Sequence, residues 1–135
     1  MPIRPQHKWL YPFDWVELSK LVRFTRASGR CEFCSRPHGE TIECVPDGRW
    51  LDEGTWRDRR GRAVRQPNIQ SHTTRVILAT CHLNHDPSDC RPRNLKALCQ
   101  RCHIIHDRPE HLRRRAITYL LRRASGDLFT GPYPV

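Results

Sequence analysis

Cys31-Glu32-Phe33-Cys34 and Cys99-Gln100-Arg101-Cys102 are two cysteine pairs of identical spacing, far apart in the chain. Two intervening residues let both thiolates of a pair reach one ion from a tight turn, and two such turns complete a tetrahedron. The spacing predicts one structural zinc ion held by Cys31, Cys34, Cys99 and Cys102. A closed four-sulfur site offers no open position for substrate, so this zinc would staple rather than catalyse. A redox role for a lone pair needs a βαβ setting that this sequence lacks. Of the other three cysteines, Cys44 and Cys90 read as small buried hydrophobes or idle thiols.

His82, Asn94 and His103 form a second constellation. Hydrolysis of a phosphodiester requires a base for water, a cation for developing charge and in-line positioning. A histidine with a pKa near ~6.5 can accept that proton at neutral pH. A second histidine on a facing helix can hold a divalent ion. An asparagine can orient the base through a hydrogen bond and fix its tautomer.

The stretch Val76–Asp107 resembles the HNH endonucleases, the ββα-metal fold. The resemblance rests on His82 at a strand end, Asn94 in Asn94-Leu95, and His103 in Leu98-Cys99-Gln100-Arg101-Cys102-His103, with the flanking zinc-binding cysteine pairs that are common in that family. It extends more loosely to Tyr11-Pro12-x-x-Trp15 and the helix that follows. It implies His82 as general base, Asn94 as the orienting residue and His103 as ligand of a catalytic divalent ion such as Mg2+, Mn2+, Ni2+ or Zn2+. It also implies a small, free-standing, metal-dependent DNA endonuclease of bacterial or phage type. The alternative is a zinc-stapled DNA-binding or protein-interaction module on the same scaffold that no longer cuts.

Two positions need separate reasoning. His82-Leu83-Asn84-His85 offers two first histidines, and His82 leaves the loop length to Asn94 that better fits the family pattern. The family has aspartate, glutamate or histidine just before that histidine as a second ligand; here the residue is Cys81. Strand alternation sends Cys81 to the face opposite His82, which reads as packing. The missing ligand would then come from His85, His106 or Asp107, the last two lying three and four residues beyond His103 on one helix face.

The elements that must position these groups predict an α+β fold: a small HNH core stapled by zinc, with an N-terminal helix and a basic C-terminal helix. The whole is read as one domain. Residues 1–30 are an extended segment and a helix, Trp15–Ser28, capped by Asp14 with Glu17 and stopped by Gly29. Residues 31–107 are the stapled core. In it, 41–73 read as a short hairpin and a mobile loop, Arg75–Leu83 as the clearest strand, and Asn94–Asp107 as a turn entering a helix. Residues 108–135 are a helix opened by Pro109, burying Leu112, Ala116, Tyr119, Leu120 and Ala124 and closed by Ser125-Gly126, then a loose tail, Phe129–Val135.

The chain carries 24 basic residues against 14 acidic ones, a formal net charge of +10, and only Lys8, Lys20 and Lys96 among the 24 are lysine. Arginine's planar fork matches phosphate oxygens two at a time, so DNA is the expected partner. Arg91, Arg93, Arg113, Arg114 and Arg115 are the expected contacts. Mean hydropathy is −0.74, no apolar run suits a membrane span, and Met1-Pro2-Ile3-Arg4-Pro5 lacks the apolar stretch of a signal peptide. The expected compartment is the cytoplasm, where paired cysteines favour metal over disulfide; nothing in the chain indicates an oligomeric state. Fluorescence anisotropy should find DNA affinity falling at least about 10-fold between low and moderate salt, because neutralised phosphates release counterions. Removing Arg113, Arg114 and Arg115 together should weaken binding to all sequences alike, and a flat salt response would count against nucleic acid.

Overall fold

The computed structural model describes residues 3–124. They fall into two compact units, one ending at Ile104 and one beginning at Ile105. The secondary structure is mixed α+β, and no described helix is long and apolar enough to cross a membrane.

The first unit opens with a 3-10 turn, Pro5–Leu10, where an extended segment was expected; Pro5 has its φ preset for the first helical position. Helix α1 (Trp15–Lys20) continues as a π-helical segment, Leu21–Arg26. The expected Asp14 cap does not form: its backbone sits at φ −94° and ψ 18°, and its side chain caps no amide. At the other end Ser28 (φ 54°) and Gly29 (φ 72°) reverse the chain, and Gly29 N–H donates to the Arg23 carbonyl at 2.9 Å. That stop is the one glycine signals in the sequence.

Strands β1 (Thr41–Cys44), β2 (Trp50–Asp52), β3 (Thr55–Arg57) and β4 (His72–Arg75) make an antiparallel sheet of order β3-β2-β1-β4. This is more strand than the short hairpin and loop expected of residues 41–73. The β1–β2 turn requires Gly48: its φ is 102°, and a Cβ there would lie 2.5 Å from the Arg101 guanidinium. The expected strand Arg75–Leu83 is broken in two. Val76 is 1% exposed and ties its backbone across to Gly39 and Glu40, both at 2.8 Å, so the chain leaves the first sheet there. It re-enters pairing as β5 (Leu78–His82), antiparallel to β6 (Leu95–Cys99), with Leu78 opposite Cys99 and His82 opposite Leu95. β6 replaces the turn expected after Asn94: Leu95, Ala97, Leu98 and Cys99 have no exposed surface, and burial outweighs the helical preference of Leu, Lys and Ala.

Helix α2 (Gln100–Arg123) starts directly from β6 and passes through Pro109, rather than being opened by it. Proline lacks the N–H that would bond the Ile105 carbonyl, so one rung of the helix is missing there. Leu112, Ala116, Tyr119 and Leu120 are exposed, against the expected buried stripe. Among the described residues of the second unit there is no other element to bury them against. The expected stop at Ser125-Gly126 and the tail Phe129–Val135 lie outside the described residues.

The core of the first unit is Trp50, Val76, Leu78, Leu95 and Leu98 packed with the paired cysteines. Two polar ties fasten α1 and its extension to the β5–β6 hairpin. Ser19 Oγ meets Thr80 Oγ1 at 2.9 Å, and Arg26 donates to the carbonyls of Pro92 (2.8 Å) and Leu95. Trp50 is fully buried, and its indole N–H donates to the Cys34 carbonyl at 3.0 Å, so one side chain serves both core and cysteine turn. Trp50→Ala should cost about 3–5 kcal/mol in urea or guanidinium unfolding. Lys96→Ala, which loses only a 3.7 Å pair with Glu32, should cost under about 1 kcal/mol.

Candidate metal centre and histidine cluster

The cysteine turn Cys31–Cys34 is zipped onto β6. Glu32 N–H donates to the Ala97 carbonyl at 2.9 Å, and Glu32 Oε2 accepts from Ala97 N–H at 2.6 Å. Cys99 closes β6 and Cys102 lies in the first turn of α2, so the two pairs converge. All four Sγ atoms lie within 4.8 Å of one another and all four residues are buried. Cys34 and Cys99 approach to 3.6 Å. Sulfurs bound to one zinc at ~2.3 Å stand about 3.8 Å apart along a tetrahedral edge, so the donors fit a zinc ion in both number and spacing. Hydrogen bonds from Cys102, Cys34 and Cys99 hold the Cys31 thiol far below its usual range. Cys102, bonded to Cys31, Cys34 and Cys99 and buried, is pushed far above it. Four negative sulfurs cannot share a dry site, whereas a bound dication lets all four ionise.

The second constellation is divided between two sides of β5. His82, 8% exposed, stacks on Trp15 with ring centroids 5.0 Å apart and planes at 19°, and meets Tyr11 edge-on at 5.7 Å. Its Nε2 lies 3.4 Å from Cys90 Sγ. Cys81 has one of its closest chemical neighbours on another side: its Sγ and a ring nitrogen of His103 lie within 4.8 Å. Alternation along β5 thus holds as expected, with the opposite consequence. Cys81 accompanies His103, while His82 keeps company with Trp15, Tyr11 and Cys90. Cys81 is 3% exposed and packs in the core, as expected, and its sulfur also lies near His103.

Asn94 does not bond His82 directly, as a base-orienting asparagine was expected to do. It knots the loop between β5 and β6 instead. Its Oδ1 accepts from Asn84 N–H at 3.1 Å, and its Nδ2 donates to Asn84 Oδ1 at 2.8 Å and to the Asp89 carbonyl at 2.7 Å. Its backbone carbonyl accepts from Leu83 N–H at 2.8 Å, which closes the loop at its base. Cys90, read from sequence as idle, follows directly from that knot. No local pattern marks it, because its partner is set by the fold of the loop.

Among the remaining candidates, His85 sits in the loop at φ 60°. His106 and Asp107 present a ring nitrogen and a carboxylate oxygen within 4.8 Å of each other, and Asp107 is 9% exposed. The arginines separate by what holds them. Asp89 grips Arg91 at 2.6 and 2.7 Å, which draws the Asp89 carboxyl down to about 2. Arg113 and Arg114 share Glu110, which they lower to about 2. Arg93 and Arg115 are exposed and form no ion pair with described residues.

No family model, curated protein or solved structure matches this chain.

Elemental analysis should find about one equivalent of zinc per chain, and chelation should unfold the protein. Cys31–Cys34 and Cys99–Cys102 disulfides in folded, metal-free protein would rule this out. Burial lowers the His82 pKa against the partial opposition of Asp86 and Asp89. A His with a depressed folded pKa adds stability that is complete above its unfolded value of ~6.5 and lost as pH falls through the folded one. Its NMR titration midpoint should therefore fall below ~6.5; a midpoint above it would contradict the burial.

Proposed function

We propose that this protein is a metal-dependent DNA endonuclease of the HNH kind, with His82 as general base and His103 as a ligand of the catalytic ion. The observation that carries the reading is the order and pairing of β5, β6 and α2. His82 ends the first strand, Asn94 knots the loop between strands, and His103 stands in the first turn of the helix. Beside His103, Cys81 offers a sulfur within 4.8 Å. A divalent ion held by that sulfur and imidazole would supply charge stabilisation to a scissile phosphate. Thiolate and imidazole favour zinc or nickel over magnesium. His82, buried and neutral at pH 7, is in the protonation state a base requires. Of the five arginines singled out in the sequence, Arg93 and Arg115 are exposed and lack an acidic partner among the described residues, which leaves them open to phosphate.

One observation favours a second reading. The His82 ring is enclosed by Trp15, Tyr11 and Cys90, and a ring so packed also suits a scaffold that binds DNA without cutting it.

Plasmid cleavage across magnesium, manganese, nickel and zinc separates the two. On the nuclease reading, His82→Ala lowers cutting by about 10²–10⁴-fold with DNA and metal affinity retained. His103→Ala weakens metal affinity, and excess metal partly restores cutting. Full activity in His82→Ala with loss in His85→Ala would transfer the base to His85. No cutting with any of the four metals would favour the binding scaffold.

A further inference from the structure

Building on the nuclease reading, we infer that Cys90 is a positioning residue for His82: its sulfur accepts the His82 Nε2 proton and leaves Nδ1 as the ring nitrogen that takes a proton from water.

The geometry assigns each atom. Cys90 Sγ is 3.4 Å from His82 Nε2 and also 3.4 Å from the Pro87 carbonyl oxygen. A carbonyl can only accept, so the thiol hydrogen goes to Pro87, and the sulfur faces His82 with its lone pairs. His82 Nε2 must then carry the hydrogen. Nδ1 makes no hydrogen bond with described residues. With Nε2 engaged by the sulfur, Nδ1 is the ring nitrogen left to meet water. The Trp15 stack fixes the plane of the ring, and the sulfur fixes its rotation within that plane.

The sulfur is itself held in place. Asn94 Nδ2 donates to the carbonyl of Asp89, the residue before Cys90. Asn84 Nδ2 bonds Asp89 Oδ2 at 3.0 Å, and Asp86 Oδ1 receives both the N–H and the hydroxyl of Ser88 at 2.9 and 2.6 Å. Asn94 therefore reaches the base through one loop residue. Burial, with Asp89, Asp14 and Asp86 nearby, raises the Cys90 thiol above its ordinary value, so it remains S–H and keeps its bond to Pro87. A thiol here gives a weak, neutral contact that does not stabilise a protonated ring. A carboxylate in its place would raise the histidine's pKa.

The test uses the zinc-loaded full chain with 15N-labelled histidine, the His82 signals being assigned by their loss in His82→Gln. Wild type should give an Nε2 proton protected from exchange. Cys90→Ala should lose that protection and cut DNA about 10–100-fold more slowly in kcat, with KM nearly unchanged. Cys90→Ser, which keeps a group able to donate and accept, should fall between the two. An Nε2 proton equally protected in Cys90→Ala overturns the pairing. A protected proton in a wild-type protein that cuts no DNA overturns the nuclease reading, and the positioning role with it, while the hydrogen bond itself stands. A loss confined to KM would place Cys90 in substrate binding and overturn the positioning role.

Discussion

Four sulfurs drawn together in a dry interior are the constraint on which the rest of the first unit depends. Each is tolerable there as a thiol and intolerable as an uncompensated anion. A bound dication would resolve the conflict and in doing so fix where the Cys31–Cys34 turn sits on β6. Trp50 adds to that fixation from the other side, since its N–H holds the carbonyl of Cys34 itself. Given that anchor, β6 has one register on β5, and the register decides which β5 residue looks toward α2. A chain with a mean hydropathy of −0.74 has little apolar surface with which to enforce such a choice alone.

The register separates two environments one residue apart. Cys81 belongs with His103, in surroundings suited to a soft cation. His82 belongs with Trp15, Tyr11 and Cys90, in surroundings that keep an imidazole neutral. The first part of the chain is thus no mere extension. Tyr11 and Trp15 form walls around His82, and Arg26 holds the extension of α1 to the hairpin by donating to the carbonyls of Pro92 and Leu95.

The paired cysteines and the glycine stop at Gly29 were legible because spacing and backbone geometry are local properties. The alternation of Cys81 and His82 was legible too, but which face met the helix was not, because that depends on β6. β6 itself was hidden: Leu95-Lys96-Ala97-Leu98 has the composition of a helix, and only pairing with β5 makes it a strand. Pro109 misled for a related reason. It is a sound opening residue, yet the helix had already begun at Gln100, where the Gln100 side chain bonds the backbone of Arg75 and Ile77. Contacts made across a loop, such as Asn94 with Asp89 and Cys90 with His82, leave no period or spacing to read.

Cys34 and Cys99 meet although 65 positions separate them. At a synthesis rate of roughly 5–20 residues per second, the first pair of sulfurs exists for several seconds before the second pair is made. During that interval the turn that will anchor β6 is an unclosed dithiol, open to metal or to oxidants. The order of synthesis also means that β1 to β5 are made before the second pair of sulfurs can close the site. A metal held by all four sulfurs would therefore latch the fold late, through residues that arrive with the opening turn of α2.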